Sequence, residues 1–151
     1  MGALDRKGMG FAVLLALACS DDTLLPAGSE LRVGTWGGDN TGVIVDESAA
    51  HVHIGCTVGN IPGRIALDAS GRFTVNGEYV LRAYPVAVGP PLPAQFSGRV
   101  IGRTLTLAVA VNDTVEHQVV ALGPVSAVLG QAPRLGPCPI CRVAPRPRHR
   151  P

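Results

Sequence analysis

The chain has 151 residues and a formal net charge of +2, and its composition is rich in aliphatic residues, glycine and proline. This length suits a single domain, and the apolar middle of the chain excludes a wholly disordered protein. Between residues 19 and 141, seven arginines stand against ten acidic residues, a net charge of −3. That balance excludes a nucleic-acid-binding surface there, because phosphate contacts need clustered basic charge.

The first eighteen residues predict a secretory signal peptide. Arg6 and Lys7 precede ten almost wholly apolar residues, 9–18. This run has the length of a signal's hydrophobic region and is shorter than the ~20 residues needed to span a bilayer. A short polar segment containing proline and glycine follows. We therefore expect a signal peptide at 1–18 and a tether at 19–30.

The end of this signal carries a candidate lipidation site. Ala16-Leu17-Ala18-Cys19 resembles the lipobox of bacterial lipoproteins, in which a small residue precedes a cysteine that becomes acylated. The resemblance implies that Cys19 carries lipid and anchors the chain to a membrane. Ser20 follows where aspartate would resemble an inner-membrane retention signal, which favours the outer membrane. The alternative is ordinary signal cleavage, which leaves Cys19 free to form a disulfide.

Alternation of apolar and polar residues dominates from residue 32 to about residue 128 and predicts β-strands. Short, regularly spaced strands of this kind predict an all-β domain over 31–141. We expect a small antiparallel up-and-down barrel, with a β-sandwich as the alternative. The expected strands are 32–37, 41–47, 50–56, 63–68, 72–83 (continuous or split), 94–101, 104–111 and 115–121, with a ninth near 125–129.

Turn-forming residues separate these strands. Asn76-Gly77 predicts a two-residue hairpin, or a bulge within a longer strand. Gly102-Arg103 suits a type II′ hairpin, and Ala69-Ser70-Gly71 and Asn112-Asp113 predict further turns. The segment 89–93 has three prolines and is not expected in a central strand.

The first predicted strand begins with Gly34-Thr35-Trp36, which is similar to the Gly-x-Trp that opens lipocalin-like and avidin-like barrels. The resemblance implies that Trp36 plugs one end of the barrel. The chain also looks like uncharacterised bacterial envelope proteins, a likeness that implies no specific function. It rests on Trp36-Gly37-Gly38, Cys56, Gly71-Arg72-Phe73 and Ser97-Gly98-Arg99-Val100.

The other three cysteines predict one disulfide, because export would place them in an oxidising compartment. We expect Cys56 to pair with Cys138, and the alternative partner of Cys56 is Cys141. A bridge that closes a loop of this length would stabilise the fold by about 4 kcal/mol. Cys138-Pro-Ile-Cys141 also has the C-x-x-C form, but a redox motif of this type should open a helix, and none is predicted here.

No catalytic motif stands out, and we predict that the protein is not an enzyme. The chain has no Gly-x-Ser-x-Gly elbow and no glycine-rich phosphate loop. No cofactor is expected. The alternative is a metal- or thiol-active periplasmic protein that uses His51, His53, Cys138 and Cys141, since zinc accepts such ligands. Imidazoles on a solvent-facing strand explain the two histidines more simply.

The predicted function is a non-catalytic binding or interaction role for a lipid-anchored protein of the cell envelope. The membrane, reached through Cys19, is the expected partner. We expect the side chains of the barrel to fill its interior. The alternative is that the barrel binds a small apolar ligand, since few aromatic residues line the predicted inner face and a barrel of this size can hold one ligand. The basic, proline-rich tail at 142–151 is predicted to be disordered.

Overall fold

The structure is a computed structural model that describes residue 26, residues 28–81 and residues 89–138. Eight antiparallel strands pair in chain order and close into a barrel where β8 meets β1, which confirms the predicted up-and-down barrel. Among these residues, no helix is long and apolar enough to cross a membrane. The strands are β1 (Gly34–Gly38), β2 (Thr41–Val45), β3 (Ala49–Ile54), β4 (Thr57–Pro62), β5 (Arg72–Val80), β6 (Leu92–Ile101), β7 (Thr104–Asp113) and β8 (Gln118–Leu129).

Several predictions fall on residues outside the described ranges. They are the signal peptide at 1–18, most of the tether at 19–30 including Cys19, the second C-x-x-C cysteine Cys141, and the basic tail at 142–151. These stay predictions.

Alternate residues of each strand point into the barrel and form one apolar core, which is the main source of stability. In β7, the leucines and valines are buried and the threonines between them are exposed, as the alternation predicts. The largest fully buried side chains are Trp36, Tyr79 and Phe96. The Trp36 indole N–H donates to the Arg32 carbonyl at 3.0 Å, so its polar atom is satisfied.

Glycines on the inner face leave room for the aromatic rings. A Cβ on Gly59 would overlap the Tyr79 ring and lie 2.8 Å from the Phe96 ring. A Cβ on Gly98 would lie 2.7 Å from the Phe73 ring. A small number of aromatic rings can therefore fill this interior, because each ring occupies the space beside a glycine.

The predicted strand at 63–68 is wrong, and the fourth strand is 57–62 instead. Gly55, with φ +58°, turns the chain after β3, and Gly63, with φ +76°, ends β4. Residues 63–68 still alternate, since Ile65 and Leu67 are buried. They make only a single antiparallel bridge, between Ala66 and Glu30, where the chain enters the barrel.

The predicted turn at Asn76-Gly77 is also wrong. β5 runs through both residues, and its register with β6 is unbroken from Arg72 to Tyr79, so there is neither a hairpin nor a bulge. Gly77 serves close packing instead, because a Cβ there would overlap the Asn60 carbonyl of β4.

Residues 89–93 were expected outside any central strand, but β6 begins at Leu92 and includes Pro93. Pro93 pairs with Glu78 of β5, whereas pairing with β7 begins only at Ala94. The proline therefore lies at the end of the strand, before the second ladder starts, where the missing N–H costs little.

In the last two predicted strands, residues 115–117 lie in a turn, whereas residues 118–121 and 125–129 are parts of one strand, β8. Its ladder with β7 shifts where Gly123 and Pro124 lie opposite Ala108, a bulge that lets the strand continue. The turn expected at Asn112-Asp113 lies later, at 114–117. Asp113 instead ends β7 and accepts the Val115 N–H at 3.0 Å.

The other two predicted turns are confirmed. Gly102 has φ +58° and, with Arg103, joins β6 to β7 in a two-residue turn. The turn at 69–71 is held by Asp68, whose Oδ1 accepts the backbone N–H groups of Ser70 and Arg72, both at 2.8 Å.

Candidate functional site

The segment after β8 lies across the outside of the barrel. We call residues 131–138 the strap. The Arg134 N–H donates to the Gly38 carbonyl at 3.0 Å, and the Arg134 carbonyl accepts the Asn40 N–H at 2.9 Å. The Arg134 guanidinium also contacts the Asp39 carboxylate at 2.7 Å, which lowers the pKa of Asp39. The strap is thus attached to the turn between β1 and β2.

Two glycines form the groove in which the strap lies. Gly37 of β1 and Gly42 of β2 are direct partners in the ladder. A Cβ on Gly37 would overlap the backbone of Gln131 and Ala132, and a Cβ on Gly42 would lie 2.6 Å from the Pro133 ring. The strap approaches the sheet this closely because neither position has a side chain.

A disulfide between Cys56 and Cys138 joins the end of the strap to the turn between β3 and β4. The two Cα atoms are 5.5 Å apart, and 82 residues of sequence separate them. This is the favoured pairing of the sequence analysis, and it fastens the strap to the sheet.

The disulfide removes Cys138 from the alternative interpretation, in which the protein is metal- or thiol-active. Cys138 is bonded to Cys56, so it offers no free thiolate to a metal or to a redox reaction. In the part of the chain that the structure describes, no three His, Cys, Asp or Glu side chains are grouped as metal ligands. His51, His53 and Cys138 of the predicted set are therefore not grouped as metal ligands, and Cys141 lies outside the described residues.

His51 and His53 lie side by side on the outer face of β3, opposite the buried Val52. Their ring centroids are 4.7 Å apart at an interplanar angle of 68°. His51 Nδ1 lies 2.6 Å from the Asn60 Oδ1 on β4. Partial burial, together with the neighbouring His51, lowers the pKa of His53. His53 is therefore neutral near pH 7.

Neighbours of this histidine pair are uncharged. Across the ladders, His51 pairs with Ile44 and Asn60, and His53 pairs with Gly42 and Val58. Ile44 is half exposed, and Gly42 is the glycine beneath Pro133 of the strap. The two rings therefore stand between uncharged ladder partners next to the strap, and Asn60 pairs in turn with Glu78 of β5.

Thr57 and Tyr79 form a partly buried polar pair. Thr57 Oγ1 and Tyr79 Oη are 2.7 Å apart, and Thr57 Oγ1 also donates to the Ile54 carbonyl at 2.7 Å. Burial raises the pKa of Tyr79, so its hydroxyl stays protonated. We find no general base beside this pair, and its role is to satisfy buried hydroxyl groups.

The predicted apolar ligand stays a prediction. One opening lies at an end of the barrel. It has a volume of about 50 Å³ and is bordered by Leu81, Leu92 and Val115, whereas pockets for small molecules usually enclose about 300–1,000 Å³. Two larger recesses lie on the outer surface of β5, β6 and β7 and are open to solvent.

Comparison of the chain with protein-family models, with curated proteins and with solved structures finds no match. The predicted resemblances to lipoproteins and to lipocalin-like barrels therefore stay predictions.

Sequence reasoning missed the strap and the role of Asn60. The signal for the strap was the pair Gly37 and Gly42. Glycine is depleted in β-strands, so two glycines there indicate that another segment lies close to the sheet. The signal for Asn60 was its register opposite His51, but this became readable only once β4 was assigned to 57–62.

Proposed function

We propose that this chain is an exported, lipid-anchored protein of the bacterial cell envelope whose barrel binds a partner through its outer surface and catalyses no reaction. The disulfide between Cys56 and Cys138 is the observation that carries the proposal. Structural disulfides form and persist in oxidising compartments outside the cytosol. The predicted signal at 1–18 supplies the route to such a compartment, and Cys19 supplies the anchor.

The packing of the barrel supports a role for its outer surface. Aromatic rings fill the interior beside Gly59 and Gly98, which leaves little room there for a ligand. Outside, the strands β6 and β7 present short side chains, including Ser97, Ala108 and Ala110, and Arg72 and Arg99 border the same surface. A surface of this kind can lie flat against another molecule where that molecule pairs with the two arginines.

Metabolic labelling tests the anchor. A bacterial host that expresses the full chain is grown with radiolabelled palmitate, and the membrane and soluble fractions are separated. We expect the wild-type chain to carry label and to lie in the membrane fraction. The variant Cys19→Ser should lose the label and leave the membrane fraction. Cys141→Ser is the matched control, and it should keep both the label and the membrane location.

Mass spectrometry of the same material tests the export. Non-reduced peptides should show the mature N-terminus at Cys19 and a peptide linked through Cys56 and Cys138. The proposal fails if the chain keeps Met1 to Ala18, stays in the cytosol and has all its thiols reduced.

A further inference from the structure

The imidazoles of His51 and His53 lie side by side on the outer face of β3. The His51 and His53 ring centroids are 4.7 Å apart, close enough for the two rings to share one ion. Both side chains are partly exposed, so an ion reaches them directly from solvent.

Asn60 fixes the chemical form of one of these rings. Its Oδ1 can only accept a hydrogen bond, so the His51 Nδ1 at 2.6 Å must donate. In the neutral ring, Nε2 then carries the free lone pair. Histidines that bind metals usually hold their second ring nitrogen in this way, with an outer hydrogen bond that sets the tautomer and the ring orientation.

The spacing of the two rings fits one metal ion. A metal bound at about 2.0 Å from a ring nitrogen lies roughly 3.2 Å from the ring centroid. Where one nitrogen of each ring is directed at the ion, two centroids 4.7 Å apart subtend an angle of roughly 95° at the metal, close to the ~90° between neighbouring ligands in tetragonal copper(II).

We propose that His51 and His53 form a surface site for copper(II), in which Asn60 orients the His51 ring. Imidazole suits copper, and copper(II) is the divalent first-row ion that such sites bind most tightly. The uncharged neighbours Ile44 and Val58 place no positive charge beside the ion. The site differs from the predicted four-residue set, since Cys138 takes no part.

Two protein ligands leave the other positions on the metal open. Water fills these positions, or a donor group of a second molecule does. The bound copper is therefore exchangeable, in contrast to a structural metal that is enclosed by four protein ligands. The proposal does not depend on lipidation, because its ligands all lie on β3 and β4.

The test is titration of the purified, oxidised full-length mature protein with copper(II), followed by isothermal titration calorimetry and pulsed electron paramagnetic resonance. We expect one tight equivalent of copper, with modulation from two coordinated imidazoles. His51→Ala and His53→Ala should each weaken copper binding by at least ~100-fold, which is more than the removal of an outer hydrogen-bond partner usually costs. In each variant, the spectrum should keep the modulation from one coordinated imidazole.

Asn60 is tested as a positioning residue. Asn60→Ala should weaken copper binding by about 10-fold while both imidazoles remain coordinated. Asn60→Asp, which keeps the acceptor oxygen, should restore binding. The controls are His117→Ala, on the turn between β7 and β8, and His149→Ala, and both should bind copper as the wild type does.

The proposal is overturned if wild-type copper shows fewer than two imidazoles, or if a control variant loses the tight equivalent. An unchanged affinity in Asn60→Ala removes Asn60 from the site. The imidazole count of the wild-type protein needs no substitution, so it remains decisive if a variant fails to fold.

Discussion

Removal of the disulfide should cost this barrel a large part of its stability. The bridge restrains a loop of 82 residues, which includes every strand from β4 to β8. In the chain-entropy treatment, closure of a loop of this length lowers the entropy of the unfolded chain enough to stabilise the fold by about 4.5 kcal/mol. This value is comparable to the whole stability of many small domains, ~5–15 kcal/mol.

The variant Cys56→Ser/Cys138→Ser should therefore unfold at a much lower urea concentration than the wild type. Trp36 is the only tryptophan and is fully buried, so its fluorescence reports the global transition. The dependence of the unfolding free energy on urea should also become steeper, because the unfolded chain expands when the loop is opened.

Cys141→Ser is the control for this measurement and should unfold as the wild type does. A loss below ~1 kcal/mol in the double variant would refute the argument from loop entropy. An equal loss in Cys141→Ser would instead show that Cys141 takes part in the bridge.

Three further predictions follow from packing and charge. Gly77→Ala should destabilise the fold by about 1–3 kcal/mol, because its Cβ overlaps the backbone of β4, whereas Gly136→Ala, with open space around its Cα, should change the unfolding midpoint little. Phe96→Ala should cost about 3–5 kcal/mol in the same urea assay, since the ring is fully buried among other side chains. Backbone N–H groups lower the pKa of Asp46 and Asp68, so the free energy of unfolding should fall as the pH drops below about 4; melting temperatures between pH 6 and pH 2.5 test this, and a flat profile would contradict it.

Much of the fold follows from the sequence because the interior of a barrel enforces a period of two. β7 could be predicted almost to its ends, since its buried leucines and valines alternate with exposed residues. The two-residue turn at Gly102 was also predictable, because a positive φ there requires glycine.

The errors arise where glycine and asparagine serve packing rather than turns. Asn76-Gly77 has the composition of a hairpin, but Gly77 is needed because β4 passes close to it. Likewise, β4 contains Gly59 and Asn60, which lower strand propensity. Its position depends on the Tyr79 ring of the neighbouring strand β5, which local sequence does not show.

The candidate site was predictable only in part. The histidines were placed on one outer face, and the pairing of Cys56 with Cys138 was favoured. The contact between His51 and Asn60 joins two strands, so it depends on the register of β3 and β4. The hydrogen bonds of Arg134 depend on the path of the chain after β8, for which alternation gives no signal.

The packing of rings beside glycines also couples the evolution of positions that lie far apart in the sequence but pair in the sheet. Because the Tyr79 ring occupies the space beside Gly59, a larger residue at one of these positions is tolerated only with a smaller residue at the other. In homologous barrels, a larger side chain at one of these two positions should therefore accompany a smaller side chain at the other.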